Sequence, residues 1–367
     1  MLKLLLLSDL NSIHTKKWVA GISARGCSVV VFGLSKPLDD FYNDLENVKI
    51  HFAEFTNQYG KSRVGKIKYL SVRKQLKNIA KEFNPDLVHA HYATSYGLLG
   101  SLLNHKRFLI SVWGEDVFSF PKESIIKKWI FKRNLRKALG IFSTSKVMAE
   151  EAKLYTDKAV NVVPFGVDVK VFKNETVEGV DDTVVIGIVK TLEDKYGISY
   201  LIDAFNLVLK ANPTQKFQLL IVGRGRKAEA LKKQVADLNL NDHVVFTGAV
   251  PHTAVPDYFN KMDIVVVPSV NEGESFGVAA VEASACEKPV IVSNIGGLPE
   301  VVIDGETGLI CEPRDSNCLF EKIELLISDN DLRIQLGKKG RENVLKHYDW
   351  EKNVDLMMNH YLQMAKK

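Results

Sequence analysis

The chain has no apolar run long enough to cross a membrane. Its longest opening string, LKLLLL at residues 2–7, is too short to span and reads as a first buried strand. A basic start and a small-residue cleavage site are also missing, so no signal peptide is expected and the protein should be cytoplasmic. Cysteine is sparse. Cys27, Cys286, Cys311 and Cys318 show no paired metal spacing, and Cys311 and Cys318 lie seven apart without partnering histidines. Zinc is therefore not expected, and the four are expected as buried or incidental thiols of a reducing compartment. The opening loop Ser8–Trp18 lacks G-x-G-x-x-G, which argues against a dinucleotide dehydrogenase. Asp39-Asp40, Asp181-Asp182 and Asp329-Asn330-Asp331 fall in expected loops or linkers without supporting ligands, so no metal site and no cofactor are expected. No aromatic-interleaved basic motif appears, which speaks against nucleic acid as a partner. Low-complexity segments and short repeats are absent as well.

What is present suits two domains. A length of 367 residues is long for one core, and 46% hydrophobic with 25% charged residues are globular values. Short apolar runs alternate with amphipathic stretches throughout, the pattern of a parallel α/β architecture. Expected strands in the first half are 4–7, 29–32, 86–90, 107–112, 140–143 and 160–163. Those in the second half are 184–189, 218–222, 244–247, 264–267, 290–293 and 308–311. Two such sets predict two Rossmann-like, doubly wound parallel-sheet domains, with ligand in a cleft beside the carboxyl ends of the strands. The polar, acidic stretch Val171–Thr183 separates them. The expected division is an N-terminal domain over 1–170, a linker over 171–183, a C-terminal domain over 184–349 and a final amphipathic helix over 350–367.

Charge is uneven along the chain. Residues 1–170 carry 27 Lys and Arg against 15 Asp and Glu, whereas the remainder carries 22 against 29. The basic excess concentrates in Lys61–Lys81 and Lys122–Lys137, each with apolar residues at helical spacing. These are Val64, Ile67, Leu70, Leu76, Ile79 and Phe83, then Ile125, Ile126, Trp129, Ile130 and Leu135. Such helices either pack their apolar side on a sheet, the ordinary case, or lie on an anionic membrane surface.

The densest information lies in Asn271–Asp315. Glu274 and Glu282 stand eight apart around a Ser-Phe-Gly turn, followed by Ala279, Ala280, Ala283 and Ala285. The pattern predicts a helix over 277–286 whose small residues let its backbone sit close to a sheet. The first helical N–H groups, around Phe276 to Val278, then lack intrahelical partners and carry the positive end of the dipole. That is a site for phosphate, flanked by carboxylates able to hold sugar and ribose hydroxyls. Upstream, Lys190 and Lys195 flank the start of a helix that Gly197 opens, where fixed cations would stabilise a leaving diphosphate.

This segment resembles the E-x7-E signature of the retaining glycosyltransferases of family four, which have the GT-B fold. The resemblance covers most of the chain, with strong motifs in the second half and diluted ones in the first. It implies that Glu274 meets the donor hexose and that Lys190 and Lys195 form the phosphate clamp. Lys190 stands where arginine is usual, and Tyr196 intervenes before Gly197. It further implies donor contacts from Glu282, Ser275, Phe276, Gly277 and Val278. Gly223, in Gly223-Arg224-Gly225, belongs to the same set, with Arg224 where an acidic residue is usual. So does Val250, in the base-side loop Gly248-Ala249-Val250. Trp113-Gly114-Glu115-Asp116 resembles the family's His-Gly-x-Asp loop with tryptophan for histidine, and tryptophan cannot act as a base. His14, Lys16, Trp113 and Asp116 are thus acceptor-side candidates, and Pro164–Asp168 resembles the turn near the interdomain hinge. The final helix is implied to cross back to the first domain.

The expectation is a metal-independent retaining hexosyltransferase. It would move a hexose from a nucleotide diphosphate sugar, UDP-sugar favoured, to a hydroxyl of a lipid-linked or cell-envelope glycan, in polysaccharide or lipopolysaccharide synthesis. It could work peripherally at the inner face of the plasma membrane. A nucleotide-sugar epimerase of the same fold and a catalytically silent nucleotide-sugar-binding subunit remain as alternatives.

Overall fold

The computed structural model describes residues 1–53, 72–175 and 182–367. Thirteen strands among these residues form two wholly parallel sheets. The first seven are β1 Lys3–Leu7, β2 Ser28–Gly33, β3 Val48–Phe52, β4 Leu87–His91, β5 Phe108–Val112, β6 Gly140–Ser143 and β7 Val160–Val162. The other six are β8 Val184–Val189, β9 Phe217–Val222, β10 Val244–Gly248, β11 Ile264–Val267, β12 Val290–Ser293 and β13 Leu309–Cys311. The orders are β3-β2-β1-β4-β5-β6-β7 and β10-β9-β8-β11-β12-β13. Both are doubly wound Rossmann-like sheets, as expected from the alternation.

Each order reverses direction once. The reversal lies between β1 and β4 in one sheet and between β8 and β11 in the other. Loops leaving such neighbours diverge to opposite faces and open a crevice at the carboxyl ends, where ligands of this architecture bind. The central strands are buried on both faces, which is why LLLL, VVVF and IVVV appear as unbroken apolar runs. β3 is the strand that the sequence reading missed. It is an edge strand, VKIHF, none of whose residues is fully buried, so it carries no such run.

The chain divides into one unit of Met1–Phe165 with Glu351–Lys367 and another of Gly166–Trp350. The division therefore falls before the stretch 171–183 expected as a linker. Phe172 is buried, and Arg341 donates to its carbonyl at 3.1 Å, which ties this stretch to the second unit. Residues 176–181 of it, including Asp181, lie outside the described residues. The last helix, Trp350–Ala365, buries Val354, Met357 and Tyr361. Its Tyr361 hydroxyl lies 2.7 Å from His89 Nδ1 on β4, and Arg25 pairs with both Glu351 and Asp355.

The two basic stretches differ. Leu76 and Ile79 on the helix Arg73–Phe83 pack into the core, the ordinary case. Val64, Ile67 and Leu70 lie outside the described residues. On the helix Ile125–Lys137, by contrast, Phe131, Asn134 and Leu135 face inward while Ile125, Ile126 and Trp129 are exposed. No helix among the described residues is long and apolar enough to cross a membrane.

Candidate functional site

In the second unit, Lys190 follows β8 directly, and the loop holding Glu274 follows β11, so the two meet at the switch point. Lys190 Nζ lies 2.6 Å from Glu274 Oε2, which also accepts from Ser269 Oγ at 3.0 Å. Glu274 is placed by its backbone. Asn271 Oδ1 takes the Gly273 amide at 2.7 Å, and Glu274 carbonyl takes the Gly297 amide at 2.8 Å. The glycine pair after β12 is needed for that contact. A Cβ on Gly296, whose φ is +56°, would sit 2.2 Å from the Glu274 carbonyl oxygen.

The helix following Glu274 spans Val278–Ala285, with Gly277 in the left-handed region before it. Its first intrahelical bonds run from the Ala280 and Val281 amides to the Gly277 carbonyl. The amides ahead of them are therefore those of Gly277, Val278 and Ala279, one residue further on than Phe276–Val278. Small residues let the helix lie against the sheet, and every residue from Ala279 to Ala285 is buried. Glu282 Oε1 lies 2.9 Å from His252 Nε2, and the His252 ring is tilted against Phe172 at 5.5 Å. His252 was not singled out from the sequence. It lies thirty residues away in the connection after β10, and only folding brings the pair together.

Tyr196, visible in the sequence only as an extra residue between Lys195 and Gly197, has a definite place. Its ring centroid is 4.6 Å from Lys190 Nζ and 5.2 Å from Lys195 Nζ, so one aromatic ring has two cations beside it. The Lys195 carbonyl accepts the Val270 amide at 2.9 Å, which holds this turn to the Glu274 loop.

A cavity of about 670 Å³ opens beside Lys190. Thr191, Gly223, Arg224, Ala249, Val250 and Val255 contribute to its lining. These residues come from the carboxyl ends of β8, β9 and β10 and from the following helix. Gly223, at φ +145°, permits the close approach: a Cβ there would stand 1.9 Å from the Lys190 carbonyl oxygen. Arg226 is drawn aside by a bidentate pair with Glu193, whose carboxyl is held below its ordinary range by that hydrogen bond. Arg224 is exposed at the lip.

The first unit gathers a different set at its own switch point. His14 and Lys16 lie on the first turn of the helix Ile13–Ala24 rather than in a loop. The His14 ring stacks on Phe165 at 4.0 Å and meets Trp113 edge-on at 6.1 Å. Trp113 is itself buried, 4.1 Å from the His91 ring and 5.4 Å from Tyr92, which makes it a packing residue at the strand end. Asp116 Oδ1 accepts the Trp113 and Gly114 amides, and Oδ2 accepts the Ala93 amide at 2.7 Å. Burial pushes its carboxyl up while these amides hold it down, and its geometry is that of a clasp between the loops after β4 and β5. Lys16 pairs with Asp39. His91, missed from the sequence, lies 2.9 Å from Ser8 Oγ, and burial keeps it neutral far below the ordinary imidazole range.

The thiol expectation needs one correction. Cys311 and Cys318 are disulfide-bonded, with Cα atoms 5.8 Å apart, and only Cys27 and Cys286 are free and buried. The tight turn Glu312–Asp315 folds the strand end back onto the next helix, a closeness that sequence spacing alone does not reveal. No group of three or more metal-ligating side chains occurs among the described residues. Asp329 caps a helix, accepting from the Leu332 amide at 2.9 Å.

Residues 172–343 match the family described as glycosyl transferases group 1, and residues 3–145 match glycosyl transferase 4-like. An uncharacterized glycosyltransferase of Methanocaldococcus jannaschii is 32% identical over 316 residues, covering 85% of this chain and 84% of that one. The capsular polysaccharide biosynthesis glycosyltransferase CapM of Staphylococcus aureus is 31% identical over 66% of this chain and 60% of its own. Among solved structures, Anabaena Alr3699/HepE in complex with UDP and glucose superposes with a TM-score of 0.80 at 20% identity. That likeness covers 99% of this chain and 100% of the other. The chain belongs to the glycosyl transferases of group 1, with the GT-B fold.

Proposed function

We propose that the protein transfers a hexose from a nucleotide diphosphate sugar, a UDP-sugar in the first instance, with retention at the anomeric carbon. The observation that carries this reading is the Lys190–Glu274 contact of 2.6 Å at the β8/β11 switch point, beside a cavity of about 670 Å³. In the proposed complex the base lies along Gly248–Val250, and Glu282 accepts from the ribose hydroxyls while His252 steadies its other oxygen. Ser275, Phe276, Gly277 and Val278 line the diphosphate, and Glu274 accepts from hexose hydroxyls.

Charge decides the chemistry. The leaving diphosphate gains negative charge as the glycosidic bond breaks, and Lys190, Lys195 and the helix-terminal amides are fixed where that charge grows. They therefore stabilise the transition state more than the bound donor. Three positive sources aimed at one diphosphate support a reaction that needs no metal. The acceptor hydroxyl attacks from the face the leaving group vacates, and a phosphate oxygen takes its proton. That route asks for no protein base, in accord with Trp113 standing where the family usually has histidine.

The acceptor proposed is a hydroxyl of a lipid-linked or cell-envelope glycan, a reading supported by the capsular role in the name of the Staphylococcus relative. His14 is the acceptor-side residue with an exposed neighbour, Ile13, whereas Asp116 and Trp113 shape that surface from below.

Calorimetric titration of UDP, GDP and ADP, with Glu282→Ala as control, tests the donor site. Selective binding lost in the variant supports it, and absence of binding by all three sinks it. NMR of the product anomer tests retention. Turnover of donor alone, without acceptor, would instead identify an epimerase.

A further inference from the structure

A second cavity, of about 530 Å³, lies in the first unit and has no part in the donor site. One wall is the helix Ile125–Lys137, contributing Trp129, Lys132, Arg133 and Arg136. These four stand at i, i+3, i+4 and i+7, a single stripe along the helix. The opposite wall is the turn Tyr155–Lys158. Lys158 Nζ is locked there by the carbonyls of Arg136 and Ala138, at 2.7 and 2.5 Å. Arg133 is steadied by Ser101 Oγ at 2.8 Å. Asp157 is the one carboxylate among the described lining residues, against four cations. Lys132 and Arg136 are exposed and make no ion pair with a described residue.

The same stripe changes character toward the helix start. Ile125, Ile126 and Trp129 are 86%, 72% and 62% exposed, and they adjoin one another on the first turn and a half. The buried side of this helix is Phe131, Asn134 and Leu135, so the exposed apolar group is not its packing face. The helix is thus apolar at one end and cationic at the other along one outward line. From Ile125 to Arg136 is roughly 16 Å at 1.5 Å per residue, more than the roughly 5–8 Å of one headgroup layer, so a helix lying obliquely keeps both of its ends within reach of the interface.

We propose that this surface seats the protein on an anionic lipid bilayer. Ile125, Ile126 and Trp129 enter the interface, and the Lys132–Arg133–Arg136–Lys158 pocket holds a lipid headgroup phosphate. Charge complementarity selects this occupant: planar guanidinium forks match phosphate, and a half-exposed tryptophan suits the level between headgroups and acyl chains. A soluble anion would use the cations but leave the isoleucines in water. A neutral apolar partner would leave four cations unmatched. The proposal stands on the first unit alone, and its test reads partitioning rather than transfer, so it fails or succeeds independently of the nucleotide-sugar reading.

The experiment is co-sedimentation with vesicles of phosphatidylcholine mixed with phosphatidylglycerol, beside pure phosphatidylcholine vesicles. Each neutralised cation should cost roughly fivefold in partitioning, so Lys132→Ala with Arg136→Ala should lower it about 25-fold. Ile126→Ser with Trp129→Ser should lower it more than about tenfold. Lys232→Ala with Lys233→Ala, on an exposed helix of the other unit, should leave it unchanged. All six positions are exposed or half-exposed side chains, so unaltered melting temperatures are expected. Tryptophan emission should shift to the blue on anionic vesicles and fail to do so in Trp129→Phe. Partitioning that falls equally in the Lys232/Lys233 variant would reveal unspecific attraction and overturn the proposal. Binding that needs the cations but not Ile126 or Trp129, and that inorganic phosphate displaces at constant ionic strength, would reveal a soluble-anion site and overturn it too.

Discussion

Lys190 Nζ and Glu274 Oε2, 2.6 Å apart, form an ion pair that is almost wholly buried, with side-chain exposures of 12% and 7%. A buried pair resists the loss of one partner more than the loss of both. Lys190→Met leaves the Glu274 carboxylate with the Ser269 hydroxyl as its one remaining side-chain partner among the described residues, at a cost of about 3 kcal/mol, which should lower the melting temperature of the second unit on the order of 8 °C. Lys190→Met with Glu274→Leu should recover much of that loss. Transfer should be abolished in both, because the proposed phosphate cation is gone either way. A double variant no more stable than the single one would contradict the pairing.

His252 and Glu282 permit a finer test of nucleotide binding. If His252 steadies the carboxylate for the ribose, His252→Ala should weaken binding roughly tenfold, the value of one charge-assisted bond. His252→Gln, which keeps a donor near Oε1, should restore most of it. Equal loss in both would point to the Phe172 ring contact rather than to the hydrogen bond. Competition with free UDP, read by calorimetry, separates the cases.

Much of this site was legible because it is local in sequence. Glu274, Gly277 and Glu282 lie within one loop and the helix it opens, and Lys190, Gly223 and Val250 each follow a strand that an apolar run announces. What stayed hidden is long-range or a matter of facing. His252 lies thirty residues from its partner, and Tyr196 reads as a mere insertion until its ring is seen beside two ammonium groups. Asp116 looks like loop acidity until its oxygens meet three amides. Ile125, Ile126 and Trp129 have helical spacing, yet spacing does not say which side of a helix meets the sheet. β3 fails the buried-run criterion because it is an edge.

Acid should destabilise the first unit through His89. Its ring is fully buried, with Nδ1 2.7 Å from the Tyr361 hydroxyl and Nε2 2.9 Å from Ser111 Oγ. Burial pushes its pKa from 6.5 to about 3, so the folded imidazole stays neutral where the unfolded one takes a proton. Between those values the unfolded chain binds more protons, and stability rises with pH and falls as acid is added. The loss from this residue is about 2 kcal/mol by about pH 5. His89→Gln should melt lower than the parent at neutral pH but lose less on acidification. Parallel pH profiles of the two melting temperatures would refute the assignment.

The Cys311–Cys318 bridge makes a claim about thiol count and about the donor site together. Unfolded without reductant, the protein should show two titratable thiols, Cys27 and Cys286, and four after reduction. In the folded state even those two should react slowly, since burial raises them to about 11 and about 12. The bridge closes the turn that carries Arg314, a left-handed residue at φ +66° whose guanidinium donates to the Val270 carbonyl at 3.1 Å. Val270 in turn holds the Lys195 carbonyl, so the bridge braces the proposed phosphate clamp from behind. Reduction should therefore cost about 2–3 kcal/mol of stability and raise the nucleotide Kd severalfold. Cys318→Ser should reproduce both effects and become indifferent to reductant. Four thiols in the unreduced, unfolded chain would remove the brace and leave Arg314 holding its loop alone.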